Sequence, residues 1–261
     1  MAGPEVVPWG WHVEPLPPDR RVVLDMLAAA SHRRFPVHGL VELDVSEARA
    51  RLRAADRAVS WTGFVIATVA AAVARHPGVN ARRAGSRVVL FDRVDVGATV
   101  ERRRGDAVAL DVVAIPAADR MDPAAITALL HEAKSSPTPV TAPSAAPRLV
   151  ARLPGPARRR LTALAVRRPS VAARLGPAVG VTSLGMFGPG GGWAIPLPPL
   201  TVIVTVGGVV ERAVVRDGAV VVRPMLPLTV SFDHGVVDGA PAARFVQTLR
   251  ELTEDATVLR P

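Results

Sequence analysis

The segment MLPLTVSFDHGVVDGAPAARF, residues 225 to 245, ends a strand-like apolar run in a histidine and places an aspartate four residues later, just before a helical pattern. A histidine with an ordinary pKa of about 6.5 can remove a proton at neutral pH, so His234 is a candidate general base. Asp238 can fold back beneath the imidazole or brace the turn through an arginine. Spacing alone, however, marks a structural turn more often than a catalytic pair.

Strands and helices alternate along the chain, without an internal repeat, and must position this pair. Apolar spacing predicts helices at 20–33, 62–75, 122–134, 148–166, 169–175 and 239–255, with a further one ending at 53. Runs rich in β-branched residues predict strands at 35–45, 87–92, 108–115, 178–184, 200–210 and 226–232. Asp217 and Gly218 between two alternating runs predict a tight hairpin. The pattern indicates a mixed α/β domain.

Length and composition favour a single domain. With 261 residues and 49% apolar content, the chain can bury a sizeable core. We expect an N-terminal arm at 1–19 and one domain at 20–261, in which 135–178 forms a loop and helical excursion. The chain has no cysteine, which leaves no disulfide or thiolate metal site, and no metal is expected. Because the start lacks a signal-peptide pattern, the sequence favours a cytoplasmic location.

The net charge of +9 raises the question of a nucleic-acid or membrane partner. The basic residues are scattered and only 4% of residues are aromatic, so the sequence argues against nucleic-acid binding. The densest basic stretch, 157–168, is typical of a solvated helix face, with an anionic cofactor, a partner or acidic lipid as alternatives. The uncharged run at 58–74 is too short to cross a bilayer, and the run at 176–210 is interrupted by GPGGG and PLPP. We expect neither partner.

Several separated motifs resemble one family, the catalytic domain of dihydrolipoyl acyltransferases. SFDHGVVDGAPAARF is similar to its Asp-His-Arg-Val-Val-Asp-Gly pattern and the Ala-Ala-Arg-Phe helix that follows. TSLGMFG resembles its Ser-Asn-Leu-Gly-Met-Phe-Gly segment, and RHPGVNAR matches its Pro-x-x-Asn-Ala turn. Asp233 before the histidine separates the chain from chloramphenicol acetyltransferases and condensation domains, which share His-x-x-x-Asp-Gly. The resemblance covers about residues 20–255 and implies a chloramphenicol-acetyltransferase-like α/β (α+β) fold, a mixed β-sheet flanked by helices.

The resemblance also implies catalytic roles. His234 matches the base that removes the proton from the thiol of coenzyme A or dihydrolipoamide. Asp238 matches the aspartate that orients this turn, with Arg20 as its best-placed arginine partner. Thr182 matches the serine whose hydroxyl stabilises the oxyanion, and Ser183 is the alternative donor.

The resemblance also predicts roles for two glycines of the motif. Gly239 matches a glycine that permits tight backbone between strand and helix. Gly235 stands where the family has arginine, which removes a charge from beside the site and predicts a different substrate or acyl carrier.

The implied partners follow from the same resemblance. The expected substrate is coenzyme A or acyl-coenzyme A, and the expected assembly is a homotrimer in which His234 faces Thr182 of a neighbouring subunit. Since no lipoyl-bearing segment precedes residue 20, we expect no covalently attached lipoyl group and a small-molecule acyl donor and acceptor, or a carrier domain on another chain. The competing hypothesis is a descendant without acyltransferase activity that uses the same interface pocket for binding, as a scaffold or for another reaction.

Overall fold

A computed structural model describes residues 5–7, 11–13, 24, 28, 35–55, 58–104, 107–135, 153–165, 167–184, 191–197 and 200–260. The strands are β1 (Glu5–Val7), β2 (Trp11–Val13), β3 (Pro36–Asp44), β4 (Ala81–Ala84), β5 (Arg87–Leu90), β6 (Val96–Arg104), β7 (Ala107–Ile115), β8 (Val179–Ser183), β9 (Val202–Val206), β10 (Val210–Arg216) and β11 (Ala219–Asp233). The helices are α1 (Ser46–Ala54), α2 (Trp61–Arg75), α3 (Pro123–Ser135), α4 (Gly155–Ala165), α5 (Pro169–Ala172) and α6 (Gly239–Glu254).

The main sheet is mixed and contains seven strands. Its order is β3, β11, β9, β8, β6 and β7, while β10 pairs with the first half of β11. β8 runs parallel to β6 and β9, and the other neighbours are antiparallel. β1 with β2, and β4 with β5, form two separate antiparallel pairs. The sheet therefore confirms the predicted mixed architecture.

One face of the sheet carries the core. Because side chains alternate along a strand, Leu228, Val230 and Phe232 of β11 point to one face and the residues between them point to the other. These three are buried with residues of α2, α3 and α6 in one apolar cluster. The helices thus cover one face, and the opposite face carries polar residues such as Thr182, Thr205 and Thr229 together with apolar ones such as Leu40, Val112 and Ile203.

Helix α2 is the buried helix predicted at 62–75. Ser60 precedes it in extended conformation, and its hydroxyl accepts a hydrogen bond from the Gly63 N–H. Ten of its residues are buried, and Phe64, Ile66 and Val69 are inaccessible to solvent. Among the helices of the described part, none is long and apolar enough to cross a membrane.

The structure changes the sequence-based assignment in three places. The strand predicted at 200–210 is shorter: β9 ends at Val206, and Val210 already belongs to β10. At Gly207, which follows β9, an added Cβ would lie 2.5 Å from the Gly192 carbonyl oxygen and 2.7 Å from Pro227 Cγ, so this position is tightly packed. Strands β1, β2, β4 and β6 were not predicted. The helix predicted at 148–166 begins at Gly155 in the described residues.

Other predictions are tested in part. The hairpin at Asp217 and Gly218 is confirmed, with φ values of 51° and 79° that suit such a turn. The loop at 135–147 lies almost wholly outside the described residues. Of the opening helix at 20–33, Leu24 and Ala28 are described, and both are helical.

Candidate active site

The turn after β11 is hydrogen-bonded to Phe35, which immediately precedes β3. The His234 N–H donates to the Phe35 carbonyl at 2.8 Å, and the Asp233 carboxylate accepts the Phe35 N–H at 3.4 Å and the Gly235 N–H at 3.1 Å. The backbone N–H groups of Val236 and Val237 both donate to the Asp233 carbonyl. Asp233 itself is only 1% exposed. The backbone that carries His234 is therefore held on both sides by a buried carboxylate.

The His234 side chain is exposed at this rigid turn, and its Nδ1 lies 3.5 Å from Asp238 Oδ1. A carboxylate beside Nδ1 favours the tautomer with its proton on that nitrogen, which leaves Nε2 free to act as a base. Asp238 immediately precedes α6 and makes no side-chain cap to that helix. Its described partner is the imidazole, the first of the two arrangements expected for it. Arg20, the other expected partner, lies outside the described residues.

Asp233 has the clearest positioning role at the turn, so we expect Asp233→Ala to destabilise the protein. Each of the two partly buried backbone N–H groups would lose its acceptor, and a hydrogen bond contributes about 0.5–1.5 kcal/mol. Asp233→Asn retains an acceptor oxygen and is the milder control. Denaturant unfolding measures the difference, and equal stability of Asp233→Ala and wild type would contradict the assignment.

The second predicted element, Thr182, lies near the end of β8 on the face opposite the core. Its Oγ1 accepts a hydrogen bond from the Thr99 hydroxyl of β6 at 2.7 Å. Since Thr99 is the donor, the Thr182 hydroxyl keeps its own hydrogen for another acceptor. Such a polarised hydroxyl is suited to stabilising an oxyanion.

Ser183 follows Thr182 and therefore points to the other face of the sheet. That face is the core side, where Val181 and Val206, the register partner of Ser183, are buried. Thr182 and Ser183 consequently cannot serve the same site, and the geometry favours Thr182.

Thr182 belongs to a row of threonines that crosses the sheet. Thr182 pairs in register with Thr205 of β9, and Thr205 with Thr229 of β11, while Thr99 stands on the other side of Thr182. Thr205 and Thr229 are 3% and 0% exposed. Neither hydroxyl has a hydrogen-bond partner within the described part of the chain. The row therefore carries buried polar groups that no described residue of the chain satisfies.

We expect Thr229→Val to stabilise the fold. The change keeps the side-chain shape and removes a buried hydroxyl that lacks a partner, which relieves a desolvation penalty of about 1–3 kcal/mol. The matched control is Thr127→Val, because the Thr127 hydroxyl donates to the Pro123 carbonyl and accepts the Ser60 N–H. Thermal unfolding should give a higher midpoint for Thr229→Val and a lower one for Thr127→Val; a lower midpoint for both would contradict the reasoning.

Within one chain, His234 and Thr182 lie at opposite ends of the sheet. Thr182 is level with Thr229 of β11, whereas His234 lies five residues further along that strand and beyond its end. At the usual rise and strand spacing, this places their Cα atoms roughly 16 Å apart along the strands and about 10 Å apart across them. The two side chains therefore cannot act on one substrate within a single subunit.

The two glycines of the turn have different surroundings. An added Cβ at Gly239 would meet no atom within 4 Å, and its φ is not in the left-handed region, so the backbone reason expected for this glycine is wrong. At Gly235, an added Cβ would lie 3.3 Å from Arg83 Cζ and 3.2 Å from Asp233 Oδ1. A guanidinium from β4 thus lies in close contact with the position of the first atom of a side chain at 235.

Sequence reasoning missed the residues that support the site from a distance. Thr99 and Arg83 belong to β6 and β4, two of the strands that were not predicted. In the sequence, Asp233 was used only to distinguish families. An aspartate at a strand end, two residues before a glycine, is nevertheless typical of a turn in which the carboxylate accepts a backbone N–H.

Comparison with known proteins places this geometry in context. The family model described as "2-oxoacid dehydrogenases acyltransferase (catalytic domain)" matches residues 10–136 and 173–260. The lipoamide acyltransferase component of the branched-chain alpha-keto acid dehydrogenase complex of Pseudomonas putida is 45% identical over 84 residues, which are 32% of this chain and 20% of that protein. The matched segment is therefore about a fifth of the length of that relative.

Two solved structures show the fold. Dihydrolipoamide acetyltransferase of Azotobacter vinelandii superposes with a TM-score of 0.70 at 20% identity, covering 99% of both chains. A chloramphenicol acetyltransferase superposes with a TM-score of 0.53 at 16% identity, covering 88% of this chain and 94% of the other. The predicted fold class is thereby confirmed, and so is the predicted type of catalytic domain: the chain belongs to the acyltransferase catalytic-domain family of the 2-oxoacid dehydrogenases.

Proposed function

We propose that this domain is a coenzyme A-dependent acyltransferase that moves an acyl group between thioesters, with His234 as general base and Thr182 as oxyanion donor. The observation that carries the proposal is the exposed His234 imidazole on a braced turn, with Asp238 Oδ1 3.5 Å from its Nδ1. Family membership supplies the reaction class.

The proposed reaction begins with the thiol of coenzyme A or dihydrolipoamide. His234 Nε2 accepts the thiol proton, and the resulting thiolate attacks the carbonyl carbon of the acyl thioester, forming a new C–S bond. The carbonyl oxygen becomes an oxyanion, which accepts a hydrogen bond from the Thr182 hydroxyl. When the intermediate collapses, the original C–S bond breaks and the leaving thiolate takes the proton back from His234.

The spacing of the residues supports this assignment. In the Azotobacter vinelandii enzyme, a serine, a histidine and an asparagine have been investigated for their role in the catalytic mechanism; the serine stands 52 residues before the histidine, and the asparagine four residues after it. In this chain, Thr182 and Asp238 stand at the same two spacings from His234. Threonine keeps the hydroxyl of serine, and aspartate keeps a side-chain oxygen where that enzyme has an amide.

The site is proposed to form between subunits of a homotrimer. His234 and Thr182 lie at opposite ends of one sheet, so a site containing both needs two copies of the chain. Large apolar residues are exposed near each of the two residues, Phe35 and Val37 near His234 and Leu184 near Thr182, and a contact between copies would bury them. Closed cyclic symmetry then gives every subunit one complete site.

The test is acyl transfer from acetyl-coenzyme A to dihydrolipoamide, measured by the formation of free coenzyme A, together with calorimetric binding of coenzyme A. The proposal expects binding and turnover by an oligomer. If coenzyme A neither binds nor turns over, the alternative of a binding or scaffold descendant replaces the proposal. Binding with no transfer to any thiol acceptor would indicate a different reaction in the same pocket.

A further inference from the structure

Arg83 occupies the space that Gly235 leaves open beside His234. Its guanidinium carbon lies 3.3 Å, and its Nε 3.5 Å, from the position of a Cβ at residue 235. The φ of Gly235 is not in the left-handed region, so the backbone itself would accept a side chain there. The cation from β4 is therefore what fills this position.

Phe35 connects Arg83 to the catalytic turn. The Arg83 guanidinium carbon lies 5.9 Å from the centroid of the Phe35 ring, and the Phe35 carbonyl accepts the His234 N–H at 2.8 Å. Contact with an aromatic ring does not use the N–H groups of a guanidinium as hydrogen-bond donors. The Arg83 guanidinium therefore lies beside the residue that follows the proposed base, and it makes no hydrogen bond to a described residue.

The neighbouring arginine shows the contrast. Arg82 is 3% exposed and donates to the carbonyl oxygens of Ala172 and Pro177, so it fastens β4 to the segment around α5. Arg83 points the other way and is half-buried. Within the described residues it forms neither an ion pair with a carboxylate nor a hydrogen bond. One arginine is used by the fold, and the guanidinium of the other lies beside the turn that carries His234.

We propose that Arg83 is a substrate-binding residue that binds an anionic oxygen group, which is either a carboxylate on the acyl chain or a phosphate on the carrier. A guanidinium recognises either group through paired N–H donors. The inference rests on the proposed acyl transfer. Where the family resemblance predicts an arginine at position 235, the positive charge beside the turn comes instead from Arg83 of β4. The expected preference is for substrates that carry such an anion close to the thioester.

The test compares wild type with Arg83→Gln on substrates that differ by one anionic group. Succinyl-coenzyme A and butyryl-coenzyme A differ in the acyl carboxylate, and the matching pantetheine thioesters lack the phosphates. If Arg83 binds the acyl carboxylate, Arg83→Gln lowers kcat/KM for succinyl thioesters by about 10- to 100-fold and leaves kcat/KM for butyryl thioesters unchanged. If Arg83 binds a phosphate, Arg83→Gln lowers kcat/KM by the same factor for both coenzyme A thioesters and leaves kcat/KM for both pantetheine thioesters unchanged.

Arg87→Gln is the matched control, because it removes the same charge from the exposed strand paired with β4 and should change no rate. Arg83→Gln rates within twofold of wild type on all four substrates would overturn the proposal. If wild type transfers no acyl group, the proposed function fails separately, and calorimetric binding of succinyl-coenzyme A decides the role of Arg83. A tenfold weaker affinity in Arg83→Gln then supports it, and equal affinity refutes it.

A position swap adds a readout that does not depend on activity. Gly235→Arg alone should lower the unfolding midpoint, since its Cβ would crowd Arg83, and Arg83→Ala with Gly235→Arg should recover part of that loss. The double variant should also recover the preference for the anionic substrate that Arg83→Ala alone loses. A midpoint for Gly235→Arg equal to that of wild type, or no recovery in the double variant, would show that the two positions do not share one space.

Discussion

Replacing His234 by alanine is expected to lower kcat for acyl transfer by about 10²- to 10⁴-fold, the usual contribution of a general base. The imidazole is exposed at the end of β11, and its backbone is held through Asp233 and Phe35, so its removal should leave the fold intact. Added imidazole should restore part of the activity, because the alanine variant leaves space for a diffusible base. Steady-state transfer to dihydrolipoamide, with and without imidazole, measures both effects.

His76→Ala provides the matched histidine control. Its Nε2 lies 2.8 Å from Thr248 Oγ1, and its ring packs edge-on against Phe245, so the residue supports packing between α2 and α6. This control should lose stability and keep kcat, which is the opposite of the His234 result. Turnover by His234→Ala at the wild-type rate would remove the proposed base, whatever the stability of the variant.

The parts of the fold that sequence predicted are those with a local signal. The hairpin at Asp217 needed only two residues that accept positive φ, and α6 shows its apolar face in its own spacing. Strands β4 and β6 carry runs of arginine that hide the alternation of a strand. They form because β5, β7 and β8 supply hydrogen-bonding partners, and such tertiary pairing overrides local propensity.

The same distinction between local signals and long-range pairing applies to the candidate site. His234 and Asp238 lie on one turn, so a four-residue spacing was enough to bring them together. Arg83 reaches that turn only because β4 folds back from the end of α2, and Thr99 reaches Thr182 only because β6 and β8 are neighbours. No spacing in the sequence encodes these contacts. Likewise, only strand register shows that Thr182 and Ser183 point to opposite faces of the sheet.

Removing the hydroxyl of Thr182 is expected to lower kcat by about 10²- to 10³-fold, as the loss of an oxyanion donor does. Thr182→Val keeps the shape of the side chain, and Thr99 loses only an acceptor, which costs about 1 kcal/mol of stability. Thr182→Ser should retain turnover because it retains the hydroxyl. Ser183→Ala should also retain it, since Ser183 points to the core side of the sheet. Single-turnover measurements separate this effect on chemistry from any effect on binding.

Mixing the two inactive variants tests whether the site is shared. When His234→Ala and Thr182→Val subunits are unfolded together and refolded, some interfaces join an intact His234 of one chain to an intact Thr182 of another. Random assembly into closed rings should restore about a quarter of the wild-type sites. A mixture that stays as inactive as its two components would place both residues in the same subunit or remove Thr182 from the site. Because the sheet register holds these residues at its opposite ends, recovery in the mixture is the expected result.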